Sequence, residues 1–197
     1  TISTYYEAEP SDGKDISGVS ALFPVMTRVT KLNVSGCGLG PTSMPELAKL
    51  VRDASDVLAR VSVLSNPIGA DGADALIQVF EQNTNLRTLL GIEEGVTEVN
   101  LSEKNVDPGQ AKILAAELKA SRATAVLESL TIDSTPNHRS GGPKSYTLNV
   151  QDASIDLSSK NFGSADTALL AAWMQRPEVS VALEAVNLDD NYIDAIG

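Results

Sequence analysis

Apolar residues recur along this chain in two alternating spacings. In the clearest stretch they stand two positions apart at Val61 and Val63, and then four positions apart at Leu76 and Phe80. A spacing of two is typical of a strand with one buried face, and a spacing of four is typical of the inward stripe of a helix. This stretch is therefore predicted to fold as a strand, a turn and a helix.

The same order of spacings occurs repeatedly between residues 28 and 197. Matching stretches begin, in chain order, at Val29, Leu58, Val96, Ile155 and Leu183. A further strand is predicted from Leu127 to Ile132, where no matching turn follows. Because a lone strand and helix cannot bury both of their apolar faces, we expect neighbouring units to stack on one another.

This pattern resembles the leucine-rich repeat family, in particular its ribonuclease-inhibitor-like subclass. The stretches that carry the resemblance run from Leu58 to Phe80, from Val96 to Leu118 and from Leu183 to Gly197. The resemblance implies an α/β fold, a right-handed solenoid shaped like a horseshoe, with a parallel sheet on its concave side and helices on its convex side.

Four parts of the chain depart from the template. Residues 1–27 do not fit it and are predicted to be an N-terminal cap or the remnant of an earlier repeat. Residues 86–95 begin a repeat with no room for a helix, so we predict a degenerate repeat there. Residues 134–146 are rich in Pro, Gly and Ser, and we predict a loop insertion. The last repeat stops at Gly197 before its helix, so we expect it to be truncated.

Composition and charge narrow the class of partner. The formal net charge is −11, which argues against a nucleic-acid partner, because binding to phosphates requires a basic surface. A basic protein partner suits this charge better. Cys37 is the only cysteine, which favours a reducing compartment, and no apolar run is long enough to insert into a membrane. We therefore expect an intracellular, cytoplasmic protein.

The residues needed for catalysis are not arranged in any familiar pattern. His138 is the only histidine, and it has no Asp, Ser or Cys at a spacing typical of a catalytic dyad or a metal site. The glycines of Gly36-x-Gly38-x-Gly40 lack the third member of a dinucleotide-binding fingerprint. We therefore predict no enzyme activity, no cofactor and no metal site.

We predict structural roles for two asparagines and one tryptophan. Asn66 and Asn191 occupy the same position in their repeats, where a buried amide satisfies the backbone of the turn. Trp173 lies between Leu170 and Met174 of a predicted helix, where most tryptophans cover the core. An exposed Trp173 that anchors a partner is the alternative.

The side chains that alternate with the buried strand positions point to the opposite face of the strands, and this face is the candidate partner-binding surface. Eleven polar residues define it, and we call them the polar strand face: Lys31, Asn33, Arg60, Ser62, Glu98, Asn100, Thr131, Asp133, Asp156, Asn187 and Asp189. The predicted function is a non-catalytic interaction scaffold or a subunit of a larger assembly. The alternative is a regulator of another enzyme, of the GTPase-activating or inhibitor type, which rests on the family resemblance alone.

Overall fold

The computed structural model describes residues 21, 28–135, 141–191 and 193. These residues form seven short strands and five helices. The strands are β1 (Lys31–Asn33), β2 (Arg60–Ser62), β3 (Glu98–Asn100), β4 (Ser129–Asp133), β5 (Ser145–Asn149), β6 (Ser154–Asp156) and β7 (Ala185–Asn187). The helices are α1 (Met44–Asp53), α2 (Gly69–Gln82), α3 (Pro108–Ala120), α4 (Ser164–Met174) and α5 (Pro177–Ala182), and a 3-10 turn at Pro41–Ser43 precedes α1.

The predicted leucine-rich repeat solenoid, with one parallel concave sheet, is wrong. The described strands form three separate small sheets, which have the orders β1-β2, β3-β4-β5 and β6-β7. The pairs β1-β2, β3-β4 and β6-β7 are parallel, but β5 runs antiparallel to β4. The molecule is thus mixed α/β, with short sheets of two or three strands.

The first break in the sheet follows β2. The chain beside β2 forms no strand, and only two isolated bridges join it there, from Arg60 to Thr88 and from Ser62 to Leu90. Leu89 and Leu90 are both buried although they are adjacent, so the alternation that a strand requires is lost. The predicted degenerate repeat at 86–95 therefore contributes no strand that could join β2 to β3.

The second break follows β4. The edge of β4 that faces away from β3 is paired with β5, which begins at Ser145 within the loop predicted at 134–146. With that edge occupied, β6 does not pair with β4, and its partner is β7. Residues 136–140 of this loop lie outside the described residues. So do residue 192, the chain end at 194–197 and, apart from residue 21, the predicted cap at 1–27.

The helices and the inward residues of the strands share one hydrophobic core. Helices α1 to α4 pack side by side in chain order. The helical pair Leu76 and Phe80 is fully buried, and so are Val61 of β2 and Val63, which directly follows β2. The strands bury one face in this core, so their other face lies toward the surface, where the candidate residues lie.

The N-termini of α2 and α3 meet closely. Asp107 caps α3 by accepting a hydrogen bond from the Gln110 N–H at 2.8 Å, and its second oxygen accepts one from the Gly69 N–H at 2.7 Å. Pro108 occupies the first helical position, where its missing N–H costs no hydrogen bond. A Cβ on Gly109 would overlap the carbonyl oxygen of Gly69, so this contact requires glycine.

Replacing Gly109 with alanine should lower the free energy of unfolding by about 2 kcal/mol, because the added methyl group forces two backbone segments apart. Helix propensity alone predicts the opposite sign, since alanine exceeds glycine by about 1 kcal/mol. Gly142→Ala is the matched control, because a Cβ there meets no atom within 4 Å. Urea unfolding of both variants measures the difference, and a Gly109→Ala protein as stable as the parent would disprove the close contact.

Candidate protein-binding surface

The polar strand face lies on the accessible side of the three sheets. None of its eleven residues is buried. Parallel pairing sets several of them side by side in register. The opposed pairs are Lys31 with Arg60, Asn33 with Ser62, Asn100 with Thr131, and Asp156 with Asn187.

The structure does not join these pairs into one continuous row. Each sheet carries its own short row, because no ladder connects β2 to β3 or β5 to β6 among the described strands. The row on the β3-β4-β5 sheet includes one residue that was not among the eleven predicted. The Thr147 hydroxyl on β5 lies 2.8 Å from the Thr131 hydroxyl on β4.

Four residues of the polar strand face also shape the turn that follows their strand. The side-chain oxygens of Asn33, Asn100, Asp156 and Asn187 each accept a hydrogen bond from the backbone N–H two residues later, at 2.9 to 3.0 Å. This Asx turn fixes the side chain as well as the backbone. Strand alternation predicts only that these residues face a partner. The spacing of an Asn or Asp two residues before a Ser or Asp was the signal for the turn.

The β1-β2 row carries the basic residues. Lys31 is exposed and lies opposite Arg60, whose Nη1 is 3.4 Å from a Glu93 carboxylate oxygen. The Ser62 hydroxyl lies 2.8 Å from the hydroxyl of Ser35. Glu93 therefore partly neutralises the positive charge of Arg60.

The acidic residues lie on the other two sheets. On β4, Asp133 accepts a hydrogen bond from the Glu103 N–H at 2.7 Å, which ties the end of β4 to the turn after β3. On β6, the pKa of Asp156 is lowered from its usual value, chiefly by the hydrogen bond from the Ser158 N–H. Asp156 thus stays ionised at neutral pH, and the exposed Asp189 follows β7 in the neighbouring turn.

The structural roles predicted for Asn66 and Asn191 are confirmed. The Asn66 amide donates to the carbonyls of Val34 and Val63 at 2.8 and 2.9 Å, and its oxygen accepts from the Leu39 N–H at 3.0 Å. Asn191 forms the same set of bonds with the Leu157 and Leu188 carbonyls and the Phe162 N–H. These amides support the turns at the ends of the strands.

A buried carboxylate was missed in the sequence. Glu117 of α3 is fully buried, and one of its oxygens accepts hydrogen bonds from the Leu89 and Leu90 N–H groups at 2.5 and 3.0 Å. The Thr88 hydroxyl donates to the same carboxylate at 3.0 Å. Burial raises the pKa of Glu117 to about 7. Glu117 therefore fixes the irregular segment beside β2, and its spacing of four and three residues after the apolar Ile113 and Leu114 was the signal for it.

A second carboxylate holds the start of α4. One oxygen of the buried Asp166 accepts hydrogen bonds from the Gly163 and Thr135 N–H groups, both at 2.9 Å. The Tyr146 hydroxyl donates to its other oxygen at 3.4 Å. Burial raises the pKa of Asp166 above its usual value. Both carboxylates satisfy backbone groups inside the molecule and neither reaches the polar strand face.

Trp173 is a core residue, as the sequence analysis favoured. Its side chain is fully buried, and the Arg176 guanidinium lies over its ring at 4.7 Å. A partner could contact this tryptophan only if the hydrophobic core around it opened. The helical surface around Trp173 is therefore a weaker candidate for partner binding than the polar strand face.

Properties of the described residues and comparisons with known proteins both bear on the nature of the site. Within residues 28–135 and 141–191, no group of three or more His, Cys, Asp and Glu side chains could hold a metal ion. No described helix combines the length and the apolar character needed to cross a membrane. Neither protein-family profiles nor curated proteins match this chain. The family resemblance and the enzyme-regulator alternative thus stay predictions.

Proposed function

We propose that this protein is a non-catalytic protein-binding module, and that its partner presents a basic segment to the acidic residues of the β6-β7 sheet. The observation that carries the proposal is the set of Asx turns on the polar strand face. Because Asp156 and Asn187 are already held by the Ser158 and Asp189 N–H groups, binding orders few additional side chains.

The charge of this surface indicates which kind of partner it attracts. Asp156, Asp189 and Asp190 are exposed at one end of this sheet, and Asp156 is ionised for the reason given above. Exposed carboxylates attract a basic segment and orient it more than they add affinity. Partner association should therefore depend strongly on ionic strength.

The test uses a variant that lacks two of these charges but retains the Asx turns. Asp156→Asn with Asp189→Asn retains a side-chain oxygen at both positions, so the backbone should be unchanged. Binding of a short synthetic peptide of alternating lysine and valine, measured by calorimetry at low salt, should weaken about fivefold, since each exposed ion pair contributes about 0.5 kcal/mol.

A matched control separates this surface from the general acidity of the chain. Glu46→Gln with Asp53→Asn removes two exposed charges from α1 and should change peptide affinity by less than about twofold. Equal losses in the two double variants would mean that the peptide senses only net charge. No binding to the parent protein would contradict the proposal directly.

A further inference from the structure

Two segments of the chain match the acceptor pattern of asparagine-linked glycosylation. The pattern is Asn, then any residue except Pro, then Ser or Thr. It occurs at Asn33-Val34-Ser35 and at Asn100-Leu101-Ser102, and at no other asparagine of the sequence. Because so short a pattern also arises by chance, the position of each asparagine in the fold decides whether a glycan can be attached there.

Both acceptor segments begin at the last residue of a strand and continue into a turn. Asn33 ends β1 and Asn100 ends β3, and both residues are exposed. The middle residues Val34 and Leu101 are buried in the hydrophobic core. Each segment is thus fixed to the core by its apolar residue, while its asparagine lies at the surface, where a bulky glycan can be accommodated.

The two polar atoms of each acceptor amide differ in their contacts. Asn33 Oδ1 accepts from the Ser35 N–H at 2.9 Å, which forms the first Asx turn. Asn100 Oδ1 accepts from the Ser102 N–H, also at 2.9 Å, and from the Ser102 hydroxyl at 2.6 Å. Among the described residues, neither Nδ2 atom has a hydrogen-bond partner. A glycan is attached through Nδ2, so both Asx turns would stay in place.

Most other asparagines use Nδ2 inside the fold. Five of those described donate a hydrogen bond from this atom to another residue, and they are Asn66, Asn85, Asn149, Asn161 and Asn191. Asn187 forms a side-chain hydrogen bond with Asp156. A glycan at any of these six would remove a bond that the structure uses. Both acceptor segments thus fall on asparagines whose amide nitrogen is free.

The β6-β7 sheet repeats the Asx turn without an acceptor segment. Asp156-Leu157-Ser158 has a carboxyl group in place of the acceptor amide, and Asn187-Leu188-Asp189 lacks the hydroxyl group. Glycans would therefore cover the polar strand face on the β1-β2 and β3-β4-β5 sheets and leave the acidic β6-β7 sheet open to a partner.

We propose that Asn33 and Asn100 carry asparagine-linked glycans. The co-reactant is an oligosaccharide on a lipid pyrophosphate. The amide nitrogen attacks C1 of its first sugar, so that a nitrogen–carbon bond forms and the bond from C1 to the pyrophosphate oxygen breaks. The nitrogen loses one proton to the transferase, and the lipid pyrophosphate leaves with the electron pair of the broken bond. This inference goes beyond the proposed function and does not rest on it.

The transfer takes place in the secretory pathway, so the protein would pass through an oxidising compartment rather than stay in the cytoplasm as expected above. That expectation depends on Cys37 as the single cysteine. One cysteine cannot form an intramolecular disulfide in any compartment, so its presence does not oppose an oxidising one.

Peptide mass spectrometry of the full chain isolated from its source cells provides the test. A glycoamidase in heavy-oxygen water removes each glycan and leaves an aspartate labelled with heavy oxygen. We expect the label at residues 33 and 100 and not at residue 105. Asn105 is the matched control for spontaneous deamidation, because it is exposed and lies outside the helices and strands but has Asp107 in the hydroxyl position.

The pattern of labels decides the outcome. Absence of the label from both Asn33 and Asn100, or equal labelling of Asn105, would overturn the proposal. A label at only one of the two would overturn the assignment of the other.

Hydroxyl variants assign each glycan to its asparagine. Ser35→Ala and Ser102→Ala lack the hydroxyl group but keep the N–H that forms the Asx turn, while Ser35→Thr and Ser102→Thr keep both and serve as controls. In the source cells, each alanine variant should lose one of two mobility steps on a gel, and the threonine variants should migrate as the parent. The step that remains in each alanine variant shows that it reached the same compartment. An alanine variant that migrates with the parent would contradict the assignment of its asparagine.

Discussion

Replacing Asn66 with alanine should lower the free energy of unfolding by about 3 kcal/mol. The Leu39 N–H and the Val34 carbonyl lose the hydrogen bonds that this side chain makes with them. The Val63 carbonyl keeps a bond from the Gln110 amide at 2.9 Å, which limits the loss. Urea unfolding monitored by circular dichroism measures the effect.

Asn191 is the matched control for this prediction. It forms the same hydrogen bonds but is only half-buried, so water can replace its side chain. We expect Asn191→Ala to cost about 1 kcal/mol. Equal losses at the two sites would show that burial does not determine the energy of this turn.

The second prediction concerns the pH dependence of stability, with Glu117 as its source. The pKa of this carboxyl is raised from 4.5 to about 7 by burial, so between these values the folded state holds a proton that the unfolded state has released. Stability from this group is complete below pH 4.5 and is lost as the pH rises through 7. The loss amounts to about 3 kcal/mol.

Glu117→Gln should remove this dependence, because the amide is neutral at every pH and its oxygen can still accept from the Leu89 and Leu90 N–H groups. We expect the variant to match the parent near pH 4 and to exceed it by up to about 3 kcal/mol at pH 8. Urea unfolding of both proteins from pH 4 to pH 8 measures the difference. Parallel pH profiles would contradict a buried carboxyl with a raised pKa.

The local elements could be predicted from the sequence because they depend on short-range spacing. Leu76 and Phe80 mark a helix by their separation, and Val61 and Val63 mark a strand. The separation into three sheets could not be predicted in this way, because strand pairing is not local. Glu117, distant in sequence, accepts hydrogen bonds from the Leu89 and Leu90 N–H groups, so these groups are not available to a neighbouring strand.

The strand β5 could not be predicted from the sequence for a different reason. Tyr146 and Leu148 alternate with polar residues, which is a strand signal, but they directly follow a segment rich in Gly and Pro. That segment favours a loop, so a loop and not a strand is predicted over residues 134–146. Pairing of Tyr146 with Ile132 on β4 then made the sheet antiparallel at this edge.

The accessible side of the strands was the most predictable part of the candidate site, since alternation alone gives it. The hydrogen bonds of these residues were less predictable, because an Asx turn depends on the backbone of the next two residues. Asn100 illustrates this, because its oxygen is bonded to both the N–H and the hydroxyl of Ser102. The site is therefore more rigid than a row of polar side chains suggests.

Site-specific photo-cross-linking tests the central claim, a protein partner on the polar strand face, most directly. A photoreactive amino acid at the exposed Ser154 of β6 samples this face away from the β7 edge, and one at the exposed Gln78 of α2 samples the helical surface. Irradiation in an extract of the source cells should give a protein adduct at residue 154 that is reduced by the Asp156→Asn and Asp189→Asn changes, and none at residue 78. An adduct confined to residue 78, or one at residue 154 that consists only of a second copy of this chain, would contradict the account.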